Sequence, residues 1–164
     1  MKTRRHIGIA LLTLLVLAIT ITIVHTIVIS PKNYRIQDVQ VTNKTIPQQF
    51  QNFKIAYLSD IHLRSKKDIT RLESIVKDLN EQSYQMVLFG GDLYEGKVFE
   101  DKKVTQILNS IHSSHGKFAV LGEEDNSNSS QVVQILTEAG FETLNNEART
   151  IYYNEAKIRL IGYN

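Results

Sequence analysis

The sequence predicts an α/β fold with a mainly parallel sheet, preceded by one transmembrane helix. Three observations carry that prediction. Short apolar segments alternate with helix-spaced ones from residue 53 to residue 139, the pattern of a parallel sheet with helices on its faces. An uncharged run, IGIALLTLLVLAITITIVHTIVI, fills Ile7–Ile29. Each of the three predicted strands in the alternation ends in a loop that contains an acidic residue.

The uncharged run accounts for the first part of the chain. As a helix its 23 residues would span about 35 Å, enough for a hydrocarbon core of about 30 Å. Lys2, Arg4 and Arg5 precede it, and the positive-inside tendency keeps residues 1–6 cytoplasmic. A cleaved signal peptide would have an apolar region of roughly 7–15 residues and a small-x-small cleavage site. Here the run is longer and leaves through His25-Thr26-Ile27-Val28-Ile29-Ser30-Pro31. The expectation is a single-pass signal anchor over residues 7–29 in the cell membrane, with the lipid bilayer as partner. The C-terminal domain then lies outside the cytoplasm.

Composition removes several function classes. There is no cysteine, which excludes disulfide scaffolds, thiolate zinc sites and a cysteine nucleophile. Three of the 19 basic residues lie in the N-terminal head, and the remaining 16 nearly cancel the 17 acids, the first of which is Asp38. No basic field is left for nucleic acid, so none is expected as a partner.

Beyond the anchor, residues 30–52 form an exit segment and a first strand. The strand is expected over Tyr34–Thr42, where Ile36, Val39 and Val41 alternate. Phe53–Leu58 reads as a buried strand, and Asp68–Gln82 as a helix with Ile69, Leu72, Ile75, Val76 and Leu79 on one face. Asp68 and Ser65 compete as its N-cap. Gln85–Phe89 is a second strand and Phe99–Ile111 a second helix. Lys117–Leu121 is a third strand, followed by a helix over Ser129–Ala139 that Gly140 closes. Thr150–Tyr153 and Lys157–Ile161 read as a hairpin joined by Asn154-Glu155-Ala156.

Sites in parallel sheets form beyond the carboxyl ends of the strands. That rule selects Ser59-Asp60-Ile61-His62-Leu63, Gly90-Gly91-Asp92-Leu93-Tyr94 and Leu121-Gly122-Glu123-Glu124-Asp125-Asn126. Carboxylates and an imidazole from separate strand ends suit divalent Mn, Fe or Zn. Adjacent glycines let the backbone bend and approach closely. Each fragment alone is common in turns; their order, each after an apolar strand and with a helix between, is what distinguishes them. His112 and His115 precede the third strand, at the opposite edge of the sheet, and read as solvated helix-end residues.

FKIAYLSDIHL, VLFGGDLYEG and FAVLGEEDN resemble the first three signature blocks of the calcineurin-like metallophosphoesterases, most closely bacterial members with one N-terminal transmembrane helix. The resemblance runs from about Tyr34 onward. It implies the N-terminal half of an αββα sandwich, with residues 53–164 a partial metallophosphoesterase domain. It also implies a centre of two divalent ions at which a metal-activated water, not a side chain, attacks phosphorus. Asp60 and His62 resemble ligands of the first ion, and Asp92 the carboxylate that bridges both.

The third block departs from the family's Gly-Asn-His-Asp. Glu123 stands where the Asn would bind the second ion and can still offer oxygen. Glu124 replaces the His that serves the leaving group; it could act as an acid only if held neutral, and as a carboxylate would repel phosphate. Asp125 matches the family's orienting Asp. Three further histidines of the family pattern come from loops later than Asn164, so the resemblance implies two ions in the family but one or none with the ligands present here. A second polypeptide completing the fold is one expected partner, since the second sheet would be mostly missing, with an unpaired edge near Leu160. The expected function is a membrane-anchored, truncated, metal-dependent phosphoesterase acting on a phosphate mono- or diester. The alternative is an inactive pseudoenzyme or truncated, membrane-anchored binding module.

Overall fold

The computed structural model describes residues 2–24 and 34–163, and within the first segment the side chains of His6 and residues 11–24. The chain divides into two compact units, residues 1–38 and 39–164. The first contains α1, Lys2–Val24, a 23-residue helix. Its apolar side chains from Leu11 to Val24 are exposed. Thr20 and Thr22 turn their hydroxyls inward and donate to Val16 O and Ala18 O, each at 2.9 Å. That arrangement satisfies both hydroxyls without water. Among the described residues no helix is long and apolar enough to cross a membrane. The anchor expected over residues 7–29 continues through residues 25–29, which lie outside the described residues.

Residues 34–42 form no strand. Val39 and Val41 are exposed, as is Ile36. Alternation gives a segment one apolar face, but a strand also needs a neighbour to complete its hydrogen bonds. Among the described residues, 34–42 pair with no strand of either sheet.

The second unit is built on a four-stranded parallel sheet. Its strands are β1 Ile55–Leu58, β2 Met86–Phe89, β3 Lys117–Ala119 and β4 Phe141–Thr143, side by side in that order. Between them run α2 Lys66–Asn80, α3 Asp101–Asn109 and α4 Ser129–Glu138. Strand order that always steps the same way, with crossovers of one hand, places every helix on one face. The core agrees: Leu72 and Val76 of α2, Val104 and Leu108 of α3 and Leu136 of α4 pack on Ala56, Val87, Phe89 and Phe141. Among the described residues, helices therefore do not lie on both faces of this sheet, the usual reading of the alternation. The three residues of β4, directly after Gly140, are too few to show a period and were not predicted.

The other face is covered by an antiparallel hairpin of β5 Glu147–Tyr153 and β6 Ala156–Gly162. Ile151 packs with Met86, Phe118 and Leu144, and Ile158 and Leu160 join them. Asn154 and Glu155 both have positive φ, 45° and 66°, so the turn is a two-residue type I′ loop. Ala156 belongs to β6 rather than to the turn. Cover stops short of the edge strand, where Ile55 and Tyr57 remain 42% and 67% exposed. Beyond β5, β6 has no ladder partner among the described residues, so the unpaired edge expected at Leu160 is present.

Local chemistry explains the helix boundaries. The N-cap of α2 is Ser65, not Asp68: the Asp68 carboxylate reaches back to accept from Ser65 N–H at 2.9 Å and from the Ser65 hydroxyl at 2.8 Å, a capping box. Lys117 closes two helices at their C-terminal ends, donating to Ala139 O at 2.6 Å and Leu108 O at 3.3 Å, where the helix dipole favours a cation. Burial pushes its pKa down.

Burial alone would raise the Asp68 pKa. The hydrogen bonds from Ser65 and from Arg64 N–H, with the charge of Arg71, outweigh it and hold the carboxyl below its ordinary value. A lowered folded-state pKa stabilises the fold above the unfolded value, near 4, and that contribution disappears as pH falls through the folded value. Asp68→Asn should cost about 1 kcal/mol near neutral pH. In chemical denaturation at a series of pH values the difference from wild type should shrink towards zero in acid.

Candidate metal centre

Loops leaving β1, β2 and β3 meet at the carboxyl edge of the sheet. Hydrogen bonds between the first two continue past the strands: Asp60 N to Gly91 O at 3.0 Å, His62 N to Asp92 O at 3.0 Å and Leu63 N to Leu93 O at 2.9 Å. That register brings Asp60, His62 and Asp92 together, with one ligand atom from each inside a sphere of mutual distances no longer than 4.8 Å. His62 Nε2 lies 3.7 Å from Asp60 Oδ1. Asp60 is exposed and the other two are half-buried, so the group opens to solvent.

All three residues have left-handed backbone, with φ of 56° at Asp60, 47° at His62 and 59° at Asp92. This conformation costs non-glycine residues about 1–3 kcal/mol each and persists only where the surroundings enforce it. Here the surroundings aim two carboxylates and an imidazole at one point. The donor set fits a divalent transition metal.

The third loop enforces the second. Asp125 is 1% exposed, the one buried charged side chain among the described residues. Its carboxylate accepts from Asp92 N at 2.7 Å, Leu93 N at 3.0 Å and Gly122 N at 3.0 Å. In return Asp92 Oδ1 accepts from Glu124 N at 2.8 Å. Two glycines let the loops approach this closely. A Cβ on Gly91, at φ +98°, would sit 2.3 Å from Gly122 N, and one on Gly122 would sit 2.2 Å from Asp92 Oδ1.

The other sequence-predicted residues are placed differently. Glu123 and Glu124 are exposed at the start of a 3-10 turn, Glu124–Asn128, and neither belongs to the three-residue group. His112 is exposed, whereas His115 is half-buried with its ring edge-on to Phe53 and Tyr153. His115 is thus an aromatic packing residue at the far edge of the sheet and not the solvated one expected. Glu95 and Arg64, outside the residues that the motifs single out, join the site. Glu95 Oε2 is ion-paired with Arg64 and lies 3.3 Å from His62 Nδ1. The hydrogen bond from Arg64 holds the Glu95 carboxyl below the usual carboxylate range, overcoming a smaller effect of burial. Its position three residues after Asp92, in the same strand-end loop, was the available signal.

No protein-family profile matches the chain. Curated proteins do. An uncharacterized metallophosphoesterase of Helicobacter pylori is 35% identical over 72 residues, 44% of this chain and 20% of that protein. The uncharacterized metallophosphoesterase YkuE of Bacillus subtilis is 24% identical over 115 residues, 68% of this chain and 40% of its own length. The chain is a relative of the metallophosphoesterases. A zebrafish (Danio rerio) protein described as a transmembrane protein with metallophosphoesterase domain is 25% identical over 146 residues, 87% of this chain and 33% of that protein. The chain spans less than half the length of each of these relatives.

For a metallophosphoesterase relative, the contact between Gly91 and Gly122 is a test of the site's construction. Gly122→Ala should cost about 1–3 kcal/mol through the forced separation of the two loops. Thermal unfolding should show the loss, and calorimetric titration with Mn²⁺ should show weaker binding.

Proposed function

We propose that this chain is part of a membrane-anchored, metal-dependent phosphoesterase that hydrolyses a phosphate mono- or diester. The observation that carries the reading is the convergence of Asp60, His62 and Asp92, all in left-handed backbone, at the carboxyl edge of a parallel sheet. Mn, Fe or Zn would suit these donors. Asp60, His62 and Asp92 would hold a divalent ion, which would supply Lewis acidity towards a phosphoryl oxygen and acidify a water nucleophile.

The chain's own groups divide the remaining work. Asp60 and Asp92 balance the cation's charge, and His62 adds a nitrogen donor. Asp125 holds the Asp92 backbone through its N–H, which fixes the direction of the Asp92 carboxylate. Glu123 and Glu124, exposed on the adjoining loop, are the acids available to a second ion and to the leaving group. A parallel sheet with helices on one face and a hairpin on the other supports reading the second unit as the N-terminal half of an αββα sandwich.

An anchor over residues 7–29 completes the proposal. Its support is the uncharged run itself and the description of the zebrafish relative as a transmembrane protein. The basic head, by the positive-inside tendency, supports reading the phosphoesterase unit as lying outside the cytoplasm. The full chain should stay with the membrane pellet after alkaline carbonate extraction and should keep its N-terminal head. A mature N-terminus near Ser30 would contradict the anchor.

For the metal site, titration of the purified full chain with Mn²⁺ should give saturable binding that Asp92→Asn weakens at least tenfold. Mn²⁺-stimulated cleavage of bis(p-nitrophenyl) phosphate should fall with it. Equal Mn²⁺ affinity in wild type and Asp92→Asn would overturn the assignment.

A further inference from the structure

The two ring nitrogens of His62 face different groups. Nε2 points to the metal group, 3.7 Å from Asp60 Oδ1. Nδ1 points away from it, towards Glu95 Oε2 at 3.3 Å. The Nδ1 atom is fully buried and has no aligned hydrogen-bond partner. The carboxylate is therefore within reach but off the line of the N–H. A buried ring nitrogen without a partner is costly, and Glu95 is the acceptor nearest to removing that cost.

Glu95 is itself held from two sides. Its backbone N–H donates to Leu63 O at 3.2 Å, tying it to the residue that follows His62. Its carboxylate is bound by the Arg64 guanidinium. The order in space is Arg64, Glu95, His62 and then the ligand group, with the first and third residues two apart in one loop and Glu95 reaching across from the next.

The geometry points to Glu95 as the positioning residue of the metal centre: by accepting from Nδ1–H it selects the His62 tautomer whose Nε2 lone pair faces the ion. A metal-binding imidazole that donates its other N–H to a carboxylate is fixed in both orientation and tautomer, and loss of such a partner typically weakens metal binding 10–100-fold. Arg64 keeps the Glu95 carboxylate from swinging to solvent. This assignment rests on the proposed metal site for its purpose, but the tautomer it requires belongs to the metal-free protein.

The test uses the full chain with ¹⁵N-labelled histidine at pH 8. Long-range ¹H–¹⁵N correlation spectra without metal should show His62 as the Nδ1–H tautomer. Glu95→Gln, close to isosteric and still an acceptor, should retain that tautomer. Glu95→Ala should shift His62 towards the Nε2–H form and weaken Mn²⁺ binding about tenfold or more by calorimetry. Circular dichroism and thermal unfolding establish that each variant is folded, and Glu95→Gln stands if Glu95→Ala is not. A wild-type His62 in the Nε2–H form would overturn the assignment, as would a folded Glu95→Ala variant with unchanged tautomer and affinity. Failure of the wild type to bind Mn²⁺ would defeat the proposed function, while the metal-free spectra still decide the role of Glu95.

Discussion

The Asp125 carboxylate, buried between two strand-end loops, gathers three backbone N–H groups, two from the loop after β2 and one from its own. A buried carboxylate is tolerated only when its hydrogen-bonding capacity is met, so the two loops have little freedom to separate. Their contact in turn requires glycine at both 91 and 122, because a methyl group at either would enter the opposite backbone or the Asp92 side chain. Asp92 is thereby pinned with a left-handed φ of 59°. The first loop then follows by the ladder that pairs Asp60 and His62 with Gly91 and Asp92. The candidate ligand group is the consequence of one buried charge, two glycines and a continued sheet register.

Much of this was legible in the sequence because the ligand candidates sit where a periodic pattern stops. Asp60, His62 and Asp92 directly follow the apolar runs that form β1 and β2, so locating the strands located them. Glu95 was not legible in that way. Its partners, His62 and Arg64, lie about 30 residues earlier in the chain, and only the pairing of the two loops brings them together. Glu123, exposed on the adjoining loop, lies outside the three-residue group, so its place in the motif alone does not assign it to the same ion.

Misread elements share a physical cause. Residues 34–42 have the alternation of a strand but join neither sheet, whereas β4 has a partner in β3 but only three residues with which to show a period. Pattern reports a face; pairing makes the strand. The start of α2 offered two candidate caps because both Ser65 and Asp68 take part, one as the cap and the other three residues on, reaching back to it. Lys117, which the pattern placed simply at the start of a strand, ties the ends of α3 and α4 to the sheet. Its role depends on helix ends that converge only in three dimensions.

The central claim is that Asp60, His62 and Asp92 form a divalent metal site in a relative of the metallophosphoesterases. Anomalous diffraction from crystals of the full chain grown with Mn²⁺ tests it most directly. A divalent ion at this site should give a peak within bonding distance of carboxylate oxygens from Asp60 and Asp92 and of Nε2 from His62. A peak bound elsewhere, or none at this position under saturating Mn²⁺, would contradict it.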